Sequence, residues 1–414
     1  MNIWIIDHYS SEPKYNGYSR QYNFAKELGK RGYNVLVVSS SFSHFTHSYI
    51  SNEECFFTEI NKNAHYAYVK TLEYHNNSSL KRILNTFSFV SSVGKHYKKM
   101  VKKYGIPDVV VGCSVHPFTW IIAHHIAKKY KARFLVEARD LWPETQINDE
   151  GMSPYHPMGI LLKMLQKWAF DRAEKIISSI PKIDKYVCDV LGYPKEKVVW
   201  ISQPIDCEEF DRNKVRYKEL DSEIKNFIAD SFLCVFTGYY KEYEGVYEML
   251  DAAKIIKNQN LPIKFVFVGN GSEEDKMRKY ADENKLDNVF IGKRIKKELV
   301  PALLERADIC LAHLAIRGNP NSYKYGSSKN KVSEYMYSNS CIIYGSYMKE
   351  QVVNISGTGY VIDPFNADEF AEKIIKIFGM DEKTRSKFGE NGRKFVLENS
   401  TVEKLIDKYE KLFY

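Results

Sequence analysis

The chain has 414 residues, of which 44% are hydrophobic and 27% charged, and a net charge of +8. That length exceeds what one hydrophobic core supports and predicts two domains of about 200 residues each. No apolar run reaches the ~18 residues of a membrane span. Seven scattered cysteines with no C-x-x-C pair argue against a disulfide framework or zinc site and for a reducing compartment.

The opening MNIWIIDHYS has no basic region before its apolar run and no small-residue cleavage site, so Ile3–Ile6 reads as a strand rather than a signal peptide. A helix over Ser19–Arg31 and a strand at Val35–Val38 follow, then a long helical segment before the strand Val109–Val111. Next come a helix over Pro117–Lys129, the strand Phe134–Val136 and a helix over Ile160–Ala173. The strands Lys175–Ser178 and Val198–Ile201 close this half. Residues 204–225, rich in charge and poor in pattern, read as the interdomain connection. Strands then recur at Phe232–Phe236, Ile263–Val268, Val289–Ile291, Ile309–Ala312 and Cys341–Tyr344, separated by helical runs such as Val246–Lys257 and Pro301–Arg306. Alternation of this kind predicts parallel sheets covered on both faces. The expected fold is α/β, with two doubly wound, Rossmann-like domains facing a central cleft: 1–203, 204–385, and helices over 386–414 packing back on the first domain.

Charge is unevenly divided. Residues 1–205 hold 27 Lys and Arg against 18 Asp and Glu, and the remainder 33 against 34. The excess is densest in residues 81–103, where Lys98, Lys99, Lys102 and Lys103 follow Phe87, Phe89 and Val90. Basic residues beside aromatic ones fit docking on an anionic membrane surface, and equally a solvated helix. With no recognised nucleic-acid module present, nucleic acid is not an expected partner.

Two kinds of segment carry candidate chemistry. In LVEARDLWPET (135–145), Glu137, Arg139, Asp140 and Glu144 arrive where a strand leaves its sheet, and open α/β sheets bind ligands outside their strands' carboxyl ends. In the second half, Gly238, Gly269, Gly271 and Gly292 each end a strand, Lys293 and Arg294 following the last. Glycine admits close backbone approach to a ligand, and helix N-termini favour phosphate. In YKYGSSKNKVSEYMYSNSCIIYG (323–345), Ser327 or Ser328 can cap a helix running to about Ser338. Its start, with Lys331, suits a diphosphate; Glu334, three residues on, suits ribose hydroxyls. A plain Lys–Glu pair on a capped helix accounts for the same pattern.

SSKNKVSEYMYSNSCIIYG resembles the S-P-N-K-L-[FW]-[DE]-Y-M-A-A-G-K-P-V-I signature of glycosyltransferase family 4, and EARDLWPET resembles the E-x-R-D-L-W-P-[EQ] segment of a bacterial branch that builds surface polysaccharides such as O-antigen and capsule. CSVHPFTW, GMSPYHP, VGNGSE, GTGYVIDPFNADE and ENGRKFV extend the likeness over essentially the whole chain. The resemblance implies a retaining GT-B enzyme moving a sugar, expected to be an N-acetylated amino or deoxyamino sugar, from a UDP-sugar to a lipid-linked (polyprenyl diphosphate) saccharide. It also implies no metal cofactor and a cytoplasmic place at the inner membrane face. Glu137, Arg139, Asp140 and His116 are the implied catalytic residues. Gly17, Gly238, Lys241, Gly269, Gly271, Arg294, Ser328, Asn330, Lys331 and Glu334 are the implied donor contacts. Gly326 stands where the family's first glutamate is usual, as in that branch. Tyr239 and Glu244 occupy the region of its usual Arg and Lys, leaving Lys241, Arg294 or Lys331 to meet the diphosphate, and Lys329 replaces the branch's proline. A GT-B sugar-nucleotide epimerase or hydrolase, or a non-catalytic nucleotide-sugar-binding protein, stays open beside the transferase.

Overall fold

Runs such as Trp4-Ile5-Ile6, Val35–Val38 and Val109–Val111 are apolar at every position, as strands buried on both faces of a parallel sheet must be. The computed structural model describes residues 1–15, 20–44, 46–75, 80–114, 116–229, 231–321 and 323–414. Gly17 and Ser19 lie outside them. The chain divides into two units, Met1–Pro204 with Val402–Tyr414, and Ile205–Thr401.

The first unit runs β1 (Asn2–Ile6), α1 (Arg20–Lys30), β2 (Asn34–Ser40), β3 (Cys55–Asn61), β4 (Ala64–Val69), α2 (Leu80–Tyr104), β5 (Val109–Cys113), α3 (Phe118–Tyr130) and β6 (Arg133–Glu137). It continues through α4 (Glu144–Asn148), α5 (Pro157–Arg172), β7 (Lys175–Ser178) and β8 (Val198–Trp200). Its eight-stranded sheet has the order β3-β4-β2-β1-β5-β6-β7-β8, with Ile5 opposite Val37 on one side and Val111 on the other. Only β3–β4 is antiparallel. The long helical segment expected before β5 is α2, and this hairpin precedes it unforeseen, with Asn61 and Asn63, turn-forming residues at its bend, as its signal.

The second unit opens with α6 (Cys207–Asn213) and α7 (Ser222–Ile228). The predicted connection is therefore part of this unit's core, where Phe210, Ile224 and Ile228 are buried. Alternation then gives β9 (Phe232–Tyr239), α8 (Val246–Asn258), β10 (Ile263–Asn270), α9 (Glu274–Glu283), β11 (Val289–Lys293), α10 (Val300–Leu304) and β12 (Ile309–His313). It ends with α11 (Asn330–Tyr337), β13 (Cys341–Gly345), α12 (Val352–Ser356), β14 (Gly359–Ile362), α13 (Ala367–Phe378) and α14 (Glu382–Asn399). The sheet is wholly parallel, in the order β11-β10-β9-β12-β13-β14.

The tail divides where the sequence reading sent it all back to the first unit. Helix α14 stays with the second, Arg393 donating to the Tyr337 carbonyl at 3.1 Å. Only α15 (Val402–Glu410) and the residues after it join the first unit. There Arg31, just after α1, pairs with Glu410 at 2.6 Å and Asp407 at 2.8 Å, and Tyr409 packs its ring on Phe24.

Candidate functional site

Each sheet reverses its winding between two neighbouring strands, β1 and β5 in the first unit, β9 and β12 in the second. The loops leaving those strands diverge to opposite faces and open a crevice at their carboxyl ends. Charged and glycine-bearing segments from the sequence fall at both places.

In the first unit, β1 ends at Asp7 and His8, β5 at Ser114 and His116, and β6 at Glu137 and Arg139. Glu137 is fully buried and does not present a carboxylate to solvent. One oxygen accepts from Arg20 Nε at 2.7 Å, the other from Gln21 Nε2 at 3.1 Å and the Cys113 thiol at 3.6 Å. Arg20 also donates to the carbonyls of Ile201 and Ser202, so this carboxylate ties three adjacent segments together. Burial pushes the Glu137 carboxyl up, but Arg20 and Arg139 outweigh it and hold it below its ordinary value. Arg139 is likewise engaged, by the Ser114 carbonyl at 2.9 Å and by buried Asp7 at 3.0 Å. Burial raises Asp7 in spite of Arg139.

Asp140, unlike Glu137, is exposed, and desolvation by its surroundings still raises it against the pull of Arg139. His116 is buried, its Nε2 2.6 Å from His8 Nδ1, and burial with the Arg82 charge lowers it to about 3. It is a neutral hydrogen-bonding ring at physiological pH. Its Nδ1 has no partner among the described residues. The peptide before Pro143 is cis.

In the second unit the feature that organises the site is Glu244, buried just after β9. Its two oxygens bind one lysine each, Lys329 and, at 2.6 Å, Lys331. Lys331 therefore turns from Glu334, one turn away on its own helix, to a carboxylate from another segment. Its ammonium also lies 4.1 Å over the Phe236 ring. Gly238 holds φ at +147°, and a β-carbon there would meet Lys331 Nζ at 3.1 Å. Lys329 Nζ reaches the His313 carbonyl at 3.1 Å. Burial pushes the Glu244 carboxyl up, yet Lys331 and Lys329 bring it down to about 2. Burial lowers Lys329 to about 8 despite Glu244, with Lys331 adding repulsion. Two cations on one anion leave a net single positive charge at the switch point.

Helix α11 is anchored here because Tyr335, buried on its inner face, accepts from the Thr237 backbone N–H at 2.8 Å. Its cap residue is Lys329, without a side-chain capping bond, so neither Ser327 nor Ser328 plays the predicted capping role. Ser328 is half-buried beside the helix start and Asn330, the first helical residue, is exposed. Glu334 is half-buried, and its carboxylate forms no hydrogen bond or ion pair among the described residues. Burial raises its carboxyl although Lys297 pulls it down.

Other predicted donor residues are placed differently. A β-carbon at Gly269 would fall 1.8 Å from the Gly238 carbonyl, and one at Gly271 2.2 Å from that of Tyr240, so these glycines admit neighbouring backbone. Lys241 donates to Ser272 Oγ at 3.1 Å. Arg294 is exposed beyond β11, the sheet's edge strand and two strands from β9. The sequence reading missed Asp7, His8, Arg20 and Gln21 as partners of the predicted residues, and Glu244 as the holder of two lysines. The run IIDHYS, charged directly after an apolar strand, carried the signal later recognised in LVEARD. Among the described residues no group of His, Cys, Asp or Glu side chains has metal-ligating geometry.

Two family models match the chain, Glycosyltransferase Family 4 over residues 20–209 and Glycosyl transferases group 1 over residues 218–395. An uncharacterized glycosyltransferase of Methanocaldococcus jannaschii is 21% identical over 61% of this chain and 61% of its own length. The O-antigen chain mannosyltransferase C of Escherichia coli is 26% identical over 45% of this chain and 47% of its own length. The chain thus spans less than two thirds of either curated relative. An Anabaena protein solved in complex with UDP superposes with a TM-score of 0.68 at 14% identity, covering 100% of this chain and 99% of that one.

Proposed function

We propose that this chain, matched by two glycosyltransferase family models, is a GT-B glycosyltransferase that moves a sugar from a UDP-sugar to a lipid-linked saccharide with retention of configuration. The observation that carries the donor half is the pair of lysines on buried Glu244 at the second sheet's switch point. A diphosphate needs positive charge held in place before it arrives, and ammonium groups fixed by a buried carboxylate need little reorganisation to receive it. Lys331, Lys329 and the amides opening α11 meet the phosphates. Glu334, its carboxylate unengaged, accepts from the ribose hydroxyls. In transfer on one face of the sugar, the leaving phosphate takes the acceptor's proton, so the protein's task is charge and position. Asp140 orients the acceptor hydroxyl, His116 offers a neutral ring to the sugar, and Glu137 and Arg139 hold the loop bearing Asp140. No metal is proposed, the lysines supplying its charge.

The sugar is proposed as an N-acetylated amino or deoxyamino sugar and the acceptor as a polyprenyl diphosphate saccharide, on the surface-polysaccharide resemblance. The mannosyl-transferring relative makes the sugar the part most in need of measurement. Titration calorimetry with nucleotides and UDP-sugars, without metal, tests the reading. Selective UDP-sugar binding, lost in Glu334→Ala, is the expected result. Absence of nucleotide binding sinks the transferase. Tight binding with no transfer across an acceptor panel favours a non-catalytic binder, and donor consumption at full rate without acceptor favours a hydrolase or epimerase.

A further inference from the structure

Helices α2, α3 and α5 lie side by side on one face of the first unit's sheet, all running from the strands' carboxyl ends towards their amino ends. Their outward faces share one gradient. Each opens with exposed apolar side chains: Leu80, Leu84 and Phe87 on α2, Ile121 on α3, Leu161 and Met164 on α5. Leu80 is 78% exposed, Leu84 54% and Met164 65%. The Phe87 and Phe118 rings meet at a tilt across α2 and α3, 4.9 Å apart, and His124 meets Trp168 across α3 and α5 at 5.1 Å, so the three helices present adjoining faces. Exposed Lys81 and Lys163 already stand among these starts, and farther along the same faces are basic, with Lys95, Lys98 and Lys102 on α2, Lys128 and Lys129 on α3, and Lys167 on α5.

The three helices together hold twelve Lys and Arg and one acid, Asp171, which pairs with Lys167. From Phe87 to Lys95, Ile121 to Lys128 and Leu161 to Lys167, the step along each axis is about 9–12 Å at ~1.5 Å per residue. That matches the ~5–10 Å to which apolar side chains enter the headgroup and acyl boundary of a bilayer.

We infer that this three-helix edge is a membrane-docking surface, its apolar helix starts entering an anionic bilayer and its lysine rows meeting the lipid phosphates. The inference rests on the lipid-linked acceptor proposed above, and gives that acceptor's membrane a defined contact. It moves the contact from the basic stretch at the end of α2 to the helix starts beside Asp7, His116 and Arg139. A second copy of this chain is the poorer occupant, because two such surfaces face to face oppose their lysine rows.

The test is co-sedimentation of the full chain with vesicles of phosphatidylcholine alone or mixed with phosphatidylglycerol. Wild type should pellet with the mixed vesicles and not the neutral ones. Leu84→Ser, Phe87→Ser, Leu161→Ser and Met164→Ser together should lower that binding at least tenfold, with UDP affinity and melting temperature unchanged. The pair Leu161→Ser and Met164→Ser should give a smaller loss, and serves if the fourfold variant fails to fold. Unchanged vesicle binding in either variant overturns the proposal, as does failure of wild type to bind. So does a dimer of the wild-type chain that the substitutions dissolve. Loss of UDP binding by wild type would instead remove the donor reading and leave vesicle binding to decide this one.

Discussion

The two switch points occupy the same place in similar sheets and handle charge in opposite ways. At the first unit's switch point each of two buried acids has its own arginine, Glu137 with Arg20 and Asp7 with Arg139, so neither pair leaves a charge over. In the second unit one buried acid serves two lysines, and a positive charge is left over. The first arrangement fixes geometry, since breaking either pair strands a charge in low dielectric. The second stores an unmet demand for an anion. One half-site is a rigid frame for an uncharged hydroxyl, the other a receiver for phosphate.

The contrast breaks if the frame turns out to be soft or the receiver indifferent. The largest effect should come from Glu137→Gln, which leaves Arg20 buried without its counter-charge. Breaking such a pair costs about 3–5 kcal/mol, and chemical denaturation should show that loss in a transition distinct from the second unit's. A variant as stable as wild type would mean the frame carries no load. Next comes Asp140→Asn, expected to lower turnover about 10²-fold, the usual scale for a positioned acid or base. UDP affinity should stay within about twofold, because the change lies in the other unit. Equal losses in both quantities would erase the division of labour.

Lys331→Ala removes a charged hydrogen bond worth about 1.5–3 kcal/mol. UDP affinity by calorimetry should fall about 10- to 100-fold, while uridine, lacking phosphate, should bind as before. The smallest effect sharpens the comparison through pH. Lys329 is cationic below about 8 and neutral above it, so UDP affinity should decline as pH rises through that value. Lys329→Arg, which does not deprotonate in this range, should flatten the decline, and a profile as steep as wild type would show that Lys329 is not the titrating group.

Much of this was readable in the chain because parallel strands buried on both faces announce themselves as unbroken apolar runs. Val35–Val38 and Val109–Val111 needed only that pattern. The β3–β4 hairpin escaped because CFFTEINKNAHYAYV mixes polar residues into an edge that is only partly buried, where alternation is weak. Helix α11 and its Lys331 were legible from a local motif. Glu244 was not, since its meaning depends on Lys329 and Lys331 arriving from more than eighty residues away. Glu137 was seen as a functional acid for the same reason: the sequence displays the carboxylate, but Arg20, which consumes it, lies 117 residues earlier. Local patterns reveal which groups are present, and long-range pairing decides which remain available.

Helix α15 has a bearing on how the molecule comes into being. Leu405, Ile406 and Tyr409 are wholly buried in the first unit's core, against α1. A ribosome delivers them only after every residue of the second unit has emerged. The first unit, begun before the second, is thus completed after it, and Phe24 lacks its ring contact with Tyr409 until then. During that interval the second unit, continuous from Ile205 to Thr401, has all it needs to fold alone. Completion of the older half is in this way made conditional on synthesis of the younger.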